Sequence, residues 1–331
     1  MKLKFWIGIF ISAFFLYFSF KNVNFRLLIN TLKKANYLYL FPMVLIVYFT
    51  FVIRAVRWKI LMLPIKEINI KTLFSVIMIG FMANNLLPVR AGEIIRAYVI
   101  GEKEDISKSS SFGTIVVERV FDGFAILLLF ILVIFSLHHE QIQTPIVKSL
   151  KIGGLLTFIL YITVLFFIIG LNRSKGSPKW LTATLKFILP KKIGEKIDDV
   201  ILSFTKGLSS FKMGRGLIMI ILYSIFVWLV YVFLTYLTIL SFGIKLPWSA
   251  PFFVIVMVCV AITLPSSPGF IGTYHAAVTY SLLFYGVARE KALGVAIILH
   301  AVNYFPIIFL GLFYLIKYHI SIKEVSSAKV S

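Results

Sequence analysis

Residues 83–122 read ANNLLPVRAGEIIRAYVIGEKEDISKSSSFGTIVVERVFD. A strongly apolar run, Leu73–Met82, leads into this stretch. It then breaks at Asn84-Asn85, kinks at Pro88 and turns at Gly92. Arg90, Glu93, Arg96, Glu118, Arg119 and Asp122 follow close behind. Charges set so near membrane-type sequence are costly unless they pair or face a wet cavity. The stretch is therefore the first place to look for function.

Composition supports the membrane reading. The chain has 331 residues, is 60% hydrophobic and has a mean hydropathy of +0.97. Ordinary soluble domains are roughly 45–50% apolar. Apolar runs long enough to cross a bilayer, about 20 residues each, recur throughout. They do not alternate, which excludes a β-barrel pattern. The net charge of +21, from 34 basic and 13 acidic residues, sits in loops and at segment ends. That placement fits anionic lipid surfaces and topology setting, and it disfavours nucleic acid as a partner. One cysteine, Cys259, lies in an apolar run, so disulfides and thiolate clusters within one chain are excluded.

The chain divides into one integral membrane domain, residues 1–331. Phe5–Phe20 reads as a retained first helix, since no small-residue cleavage site follows it. Lys21–Asn36 suits an interfacial helix. The next span, Tyr39–Met62, is closed by Pro64, with Arg54, Arg57 and Lys59 expected to snorkel towards headgroups. Leu73–Leu87 and Ala91–Ile100 form a short broken pair, a polar linker covers Gly101–Ser111, and the following span, Thr114–Leu137, carries Glu118, Arg119 and Asp122 in its first two turns. After a short loop, His138–Lys151, comes a further span, Ile152–Leu171. Residues 172–216 hold ten basic against three acidic residues, with apolar positions at helical spacing, and read as a cytoplasmic loop of amphipathic surface helices. Leu217–Leu240, a second broken pair across 252–285, and a last span, Ala292–Ile316, complete the order. The expected fold is an all-α polytopic protein of about six full spans plus two broken or re-entrant pairs.

The two broken regions match in layout. Leu87-Pro88 and Gly92 in the first answer to Leu264-Pro265 and Gly272 in the second, where Pro268 and Gly269 add to the break. The spacings Gly92–Glu118 and Gly272–His300 are nearly equal. With the basic loop inside, the first pair (73–100, in a repeat of 39–137) enters from the cytoplasm. The second (252–285, in a repeat of 217–316) enters from the opposite face, and the C-terminal tail ends inside. This is the layout of an inverted-repeat transporter. The connector Lys21–Lys34 then falls outside, although it carries four basic residues.

Chemically, Arg90 and Arg119 suit a phosphate or carboxylate, and Glu118 and Asp122 could hold those arginines or meet a cationic group. The helix start after Gly92 offers backbone N–H groups to an anion. The six charges could equally pin the broken helix to its neighbour. In the second half Tyr274, His275, His300 and Asn303 stand as neutral polar contacts for a headgroup or a proton. His138-His139 lacks partners at ligand spacing, so no metal site and no cofactor is expected. No phosphate loop, His-Glu-x-x-His or Gly-x-Ser-x-Gly pattern is present.

At NNLLPVRAGEIIRA (84–97), GTIVVERVFDG (113–123) and LPSSPGFIGTYHAA (264–277), the chain resembles the lysylphosphatidylglycerol synthase transmembrane-domain family of flippase-like integral membrane proteins. The resemblance covers nearly the whole chain. It implies a protein of the inner or cytoplasmic membrane whose substrate is a phospholipid or another lipid-linked headgroup. Its partners would be a second copy of the chain or a lipid-modifying enzyme. The family's signature falls on Asn85, Pro88, Arg90, Gly92, Glu93, Arg96, Glu118, Arg119 and Asp122, then on Pro265, Pro268, Gly269 and Gly272. His275 stands where the family usually has Glu, His300 where Arg is common, and Phe270 where a second Gly is usual. No hydrophilic stretch here is long enough for the soluble synthase domain, so transfer chemistry is not carried over. A lipid-modifying transferase, or a non-transporting partner of one, remains the alternative to a flippase.

Overall fold

A computed structural model describes residues 2–87, 91–136, 152–160, 162–163, 215–264 and 266–320, and the described residues are helical with loops and no strand. Helix α1 spans Lys2–Phe20 and α2 spans Phe25–Lys34. A 3-10 turn, Tyr37–Tyr39, leads into α3, Leu40–Met62. Then come α4, Ile70–Leu86, α5, Gly92–Glu104, and α6, Lys108–Ser136. Residues 152–160 are helical as well. The second half holds α7, Arg215–Ser241, α8, Ser249–Thr263, a 3-10 turn Pro268–Phe270, α9, Thr273–Phe284, and α10, Arg289–Lys317.

Local chemistry sets the ends. Asn24, Asn36 and Asn69 each cap a helix start, their side chains accepting from Leu27, Leu38 and Lys71 N–H. Asp105 closes α5 in the left-handed region (φ 51°). Four helical segments, Tyr37–Met62, α6, α7 and α10, are long and apolar enough to cross a bilayer. Shorter apolar helices are Gly8–Phe20, α4 and α8. Large apolar side chains stay exposed in stripes at helical spacing: Phe41, Leu45, Phe49 and Val52 on α3, Leu222, Phe226, Leu229 and Phe233 on α7, Phe305, Phe309, Phe313 and Ile316 on α10. In water such stripes would be a liability, whereas against acyl chains they cost nothing. The chain is a multi-pass membrane protein.

Inside, α4 packs on α3, α5 and α10, while α8 packs on α7, α9 and α6. The pair α3 and α7 meets at the centre. Without a strong hydrophobic drive between helices in lipid, close backbone approach carries association. A Cβ on Gly311 of α10 would lie 2.8 Å from the Met78 carbonyl of α4, and one on Gly80 would overlap the Arg96 stem. The loop before α4 meets the end of α5 through Lys66, whose Nζ donates to the Glu104 carbonyl (2.7 Å). The start of α8 likewise meets the end of α9, with Tyr285 Oη 3.2 Å from Ser249 Oγ. Each short pair is thus a hairpin. Helix α1 covers α9, and α2 lies on α10.

Two sequence expectations shift. The polar linker Gly101–Ser111 shrinks, because α5 continues to Glu104 and α6 begins at Lys108. Ser109, Ser110 and Ser111 are helical and buried, with Ser111 Oγ donating to the Ser107 carbonyl (3.1 Å). Glu118 and Asp122 therefore sit in the third and fourth turns of α6, about 15 Å or more along its axis. The basic loop 172–214, the loop His138–Lys151, Pro88, Arg90 and Pro265 lie outside the described residues.

Candidate functional site

The interior of the first half is an ion network drawn from three helices. Arg54 and Arg57, one turn apart on α3, share a face. Arg96 comes from α5, and α6 supplies Glu118, Arg119 and Asp122. Glu118 is fully buried and takes a two-pronged contact from Arg96, Nη2 to Oε2 at 2.9 Å and Nη1 to Oε1 at 3.2 Å. Arg57 Nη2 reaches Glu118 Oε1 at 3.2 Å, and Arg119 pairs with the same oxygen. Asp122 holds Arg57 Nη1 at 2.7 Å, Arg54 Nη1 at 3.2 Å and Arg119 Nη1 at 3.3 Å, and accepts from the Trp228 indole at 3.3 Å. Ser224 accepts from Arg57 (2.7 Å) and passes its own proton to the Ile220 carbonyl. Trp58 lies against the Arg96 guanidinium, 4.3 Å from ring centre to carbon, and donates to Thr114.

Four guanidinium groups thus share two carboxylates. Every carboxylate oxygen is already engaged, and all four Nε atoms lack a hydrogen-bond partner. The four guanidiniums outnumber the two carboxylates they pair with, and the charge of half-buried Glu93 acts on Arg96 and Arg119 from outside the cluster. Buried charge of this kind persists only where something else stabilises it.

Beside the network lies a cavity of about 210 Å³. Arg54, Arg119, Phe81 and Asn85 form one side, and Trp228, Tyr231 and Thr235 of α7 form another. Cys259 and Ile255 of α8 close the back. The far wall is the second broken region and α10: Phe270, Tyr274, His300, Asn303 and Tyr304. Arg119 is 36% exposed at its side chain, while Arg54 is almost fully buried. Both guanidiniums lie over Phe81, at 5.3 and 5.7 Å, and Arg54 also lies over Tyr231.

The second broken region is tightly built. Gly269 (φ 72°) and Gly272 (φ 98°) adopt backbone that other residues rarely adopt. His300 reaches the Gly269 carbonyl at 2.8 Å, so Nε2 carries the proton there, since a carbonyl only accepts. His275 and His300 rings stand 4.8 Å apart, and Tyr274 and Tyr304 flank His300. Asn303 donates to the Leu299 carbonyl. Helix α1 is stitched on by Ser12, whose hydroxyl accepts from Ser267 N–H (2.7 Å).

Of the residues singled out from sequence, Arg119, Asn85, Tyr274, His300 and Asn303 meet at the cavity. Arg96, Glu118 and Asp122 stand behind its wall, inside the network. Glu93 makes no ion pair with them, Asn84 holding it at 3.3 Å and also accepting from Gly92 N–H at 2.8 Å, but its charge acts on Arg96 and Arg119 through space. That amide is consequently not free for an anion. Arg54 and Arg57 do not snorkel, being buried at the centre of the ion network. Their one-turn spacing on a single face of α3 was the available signal.

The chain matches the family model described as the lysylphosphatidylglycerol synthase TM region over residues 5–311. It is similar to a UPF0104 membrane protein of Methanocaldococcus jannaschii, 26% identical over 248 residues, which cover 74% of this chain and 98% of that protein. A UPF0104 membrane protein of Methanothermobacter thermautotrophicus is 20% identical over 290 residues, covering 85% of this chain and 86% of that protein. No solved structure matches significantly. With nearly its whole length covered by that model, the chain belongs to the lysylphosphatidylglycerol synthase transmembrane-region family.

Proposed function

We propose that this protein binds lipid headgroups in the central cavity and carries them between leaflets, as a flippase or transporter-like protein of the cell membrane. The observation that supports this best is the pair Arg54 and Arg119, two guanidiniums on the wall of a cavity inside a membrane bundle whose acids are already engaged. A phosphate there would supply the missing negative charge. Acyl chains would stay among the exposed apolar stripes. The two hairpins, one on each side of the cavity, serve in this reading as the re-entrant elements of an inverted repeat, with the basic loop 172–216 and the C-terminal tail in the cytoplasm. Arg96, Glu118 and Asp122 hold the binding arginines in position.

The test is leaflet exchange of labelled phospholipids in proteoliposomes. Wild-type protein should exceed empty vesicles, and Arg119→Ala should lower the excess by tenfold or more. Equal rates for empty vesicles, wild type and variant across several lipid classes would remove the reading.

A further inference from the structure

Among the described residues, the charges in the cavity lining are of one sign, from Arg54 and Arg119. This step rests on the lipid reading above and specifies its substrate. Among the described residues, no carboxylate lines the cavity. Glu118 and Asp122 are the nearest acids of the network, and arginines occupy all four of their oxygens. An ammonium group could instead be held by aromatic faces. The faces beside the arginines are already loaded, Phe81 by Arg54 and Arg119, Tyr231 by Arg54. Trp228 packs on Tyr231 while giving its N–H to Asp122, and Tyr274 and Tyr304 pack on His300. Tyr274, Asn303, Tyr304 and His300 add polar groups to the lining but no carboxylate.

We infer that the cavity takes an anionic lipid whose headgroup beyond the phosphate is uncharged and hydroxyl-bearing, a glycerol or inositol type, and discriminates against aminoacylated and choline headgroups. Arg54 and Arg119 take the phosphate. The hydroxyls meet the tyrosines, Asn303 and His300. A lysyl or choline cation would lie beside the Arg54 and Arg119 guanidiniums, with no carboxylate in the described lining to receive it.

Native mass spectrometry of the full-length protein with equimolar phosphatidylglycerol, phosphatidylinositol, phosphatidylcholine and lysylphosphatidylglycerol tests this. The two anionic lipids should be retained at least tenfold over the other two. Arg119→Gln, at the exposed edge of the network, should lower that ratio to threefold or less. Asn303→Asp should raise lysylphosphatidylglycerol retention relative to phosphatidylglycerol. Equal retention of all four lipids, preference for the lysylated one, or no retention would overturn the assignment. So would displacement of phosphatidylglycerol by equimolar inorganic phosphate, which would mark a free-anion site. Leaflet exchange with the same lipids separates this from the transport reading. Selective retention without exchange keeps the charge assignment and removes transport. Exchange that is equally fast for the lysylated lipid does the reverse.

Discussion

Glu118 is the residue on which the ion network turns. It meets Arg54, Arg57, Arg96 and Arg119 from a fully buried position. Removing one partner of a buried pair leaves the other charge stranded, at a cost of about 3–5 kcal/mol. Glu118→Gln keeps the shape and deletes the charge, leaving Arg54, Arg57 and Arg119 on Asp122 and Arg96 without an ion pair. It should destabilise the protein by about that amount in equilibrium unfolding in mixed micelles, and a loss below about 1 kcal/mol would show that the cluster is not held by this acid. The sequence showed the acids but not the full set of bases. Arg90, Arg96 and Arg119 balance Glu93, Glu118 and Asp122 on paper, so no positive excess was visible there. The excess of bases in the ion-paired cluster arises because α3 delivers Arg54 and Arg57 to the same point, while Glu93, hydrogen-bonded to Asn84, acts on Arg96 and Arg119 only through space. Near the end of an apolar helix, arginines bound for an interior network look the same as arginines bound for headgroups.

Among the elements, the breaks were legible and the helix ends less so. The break expected at Asn84-Asn85 comes later, since both asparagines stay helical in α4 and the chain turns extended at Leu87, the residue before Pro88, while Pro-x-x-Pro-Gly interrupts the second apolar run. The start of α6 was misplaced because serine and lysine suggest a linker, whereas here the serines pack inward and bond their own backbone. The role of α1 was not legible at all, since its contact with the second break depends on backbone. A Cβ on Gly272 would come 2.3 Å from the Ser12 carbonyl, at φ 98°. Gly272→Ala should therefore cost about 1–3 kcal/mol through strain and a displaced α1. Gly153→Ala, with nothing within 4 Å of its Cβ, should stay within about 0.5 kcal/mol of wild type. Similar unfolding free energies for the two variants would mean that α1 does not lock the second hairpin.

At the scale of the whole molecule, the helix contacts are nearly unchanged when the halves are exchanged, α3 with α7, α4 with α8, α5 with α9 and α6 with α10. Helix α4 packs on α10 as α8 packs on α6, and α3 on α10 as α7 on α6. The loop contacts sort into two ends. Asn24 N–H donates to Glu290 and Asn36 N–H to the Ser241 carbonyl, which gathers the starts of α2, α3 and α10 with the end of α7. Lys66 meets Glu104, and Lys103 lies over Tyr318, which gathers the ends of α3, α5 and α10. Helices α3 and α10 run between these two groups. On this basis the first hairpin opens with the second group and the other hairpin with the first, which is the reading of an inverted repeat with two re-entrant hairpins. Single cysteines test the reading in a Cys259→Ala background. Glu102→Cys, at the end of α5, and Lys291→Cys, at the start of α10, should label with a membrane-impermeant maleimide from opposite sides of oriented vesicles. Labelling of both from one side would place the two hairpins on the same face. The inverted-repeat reading built on their opposition would then fail, while the cavity and its arginines would still stand as a binding site.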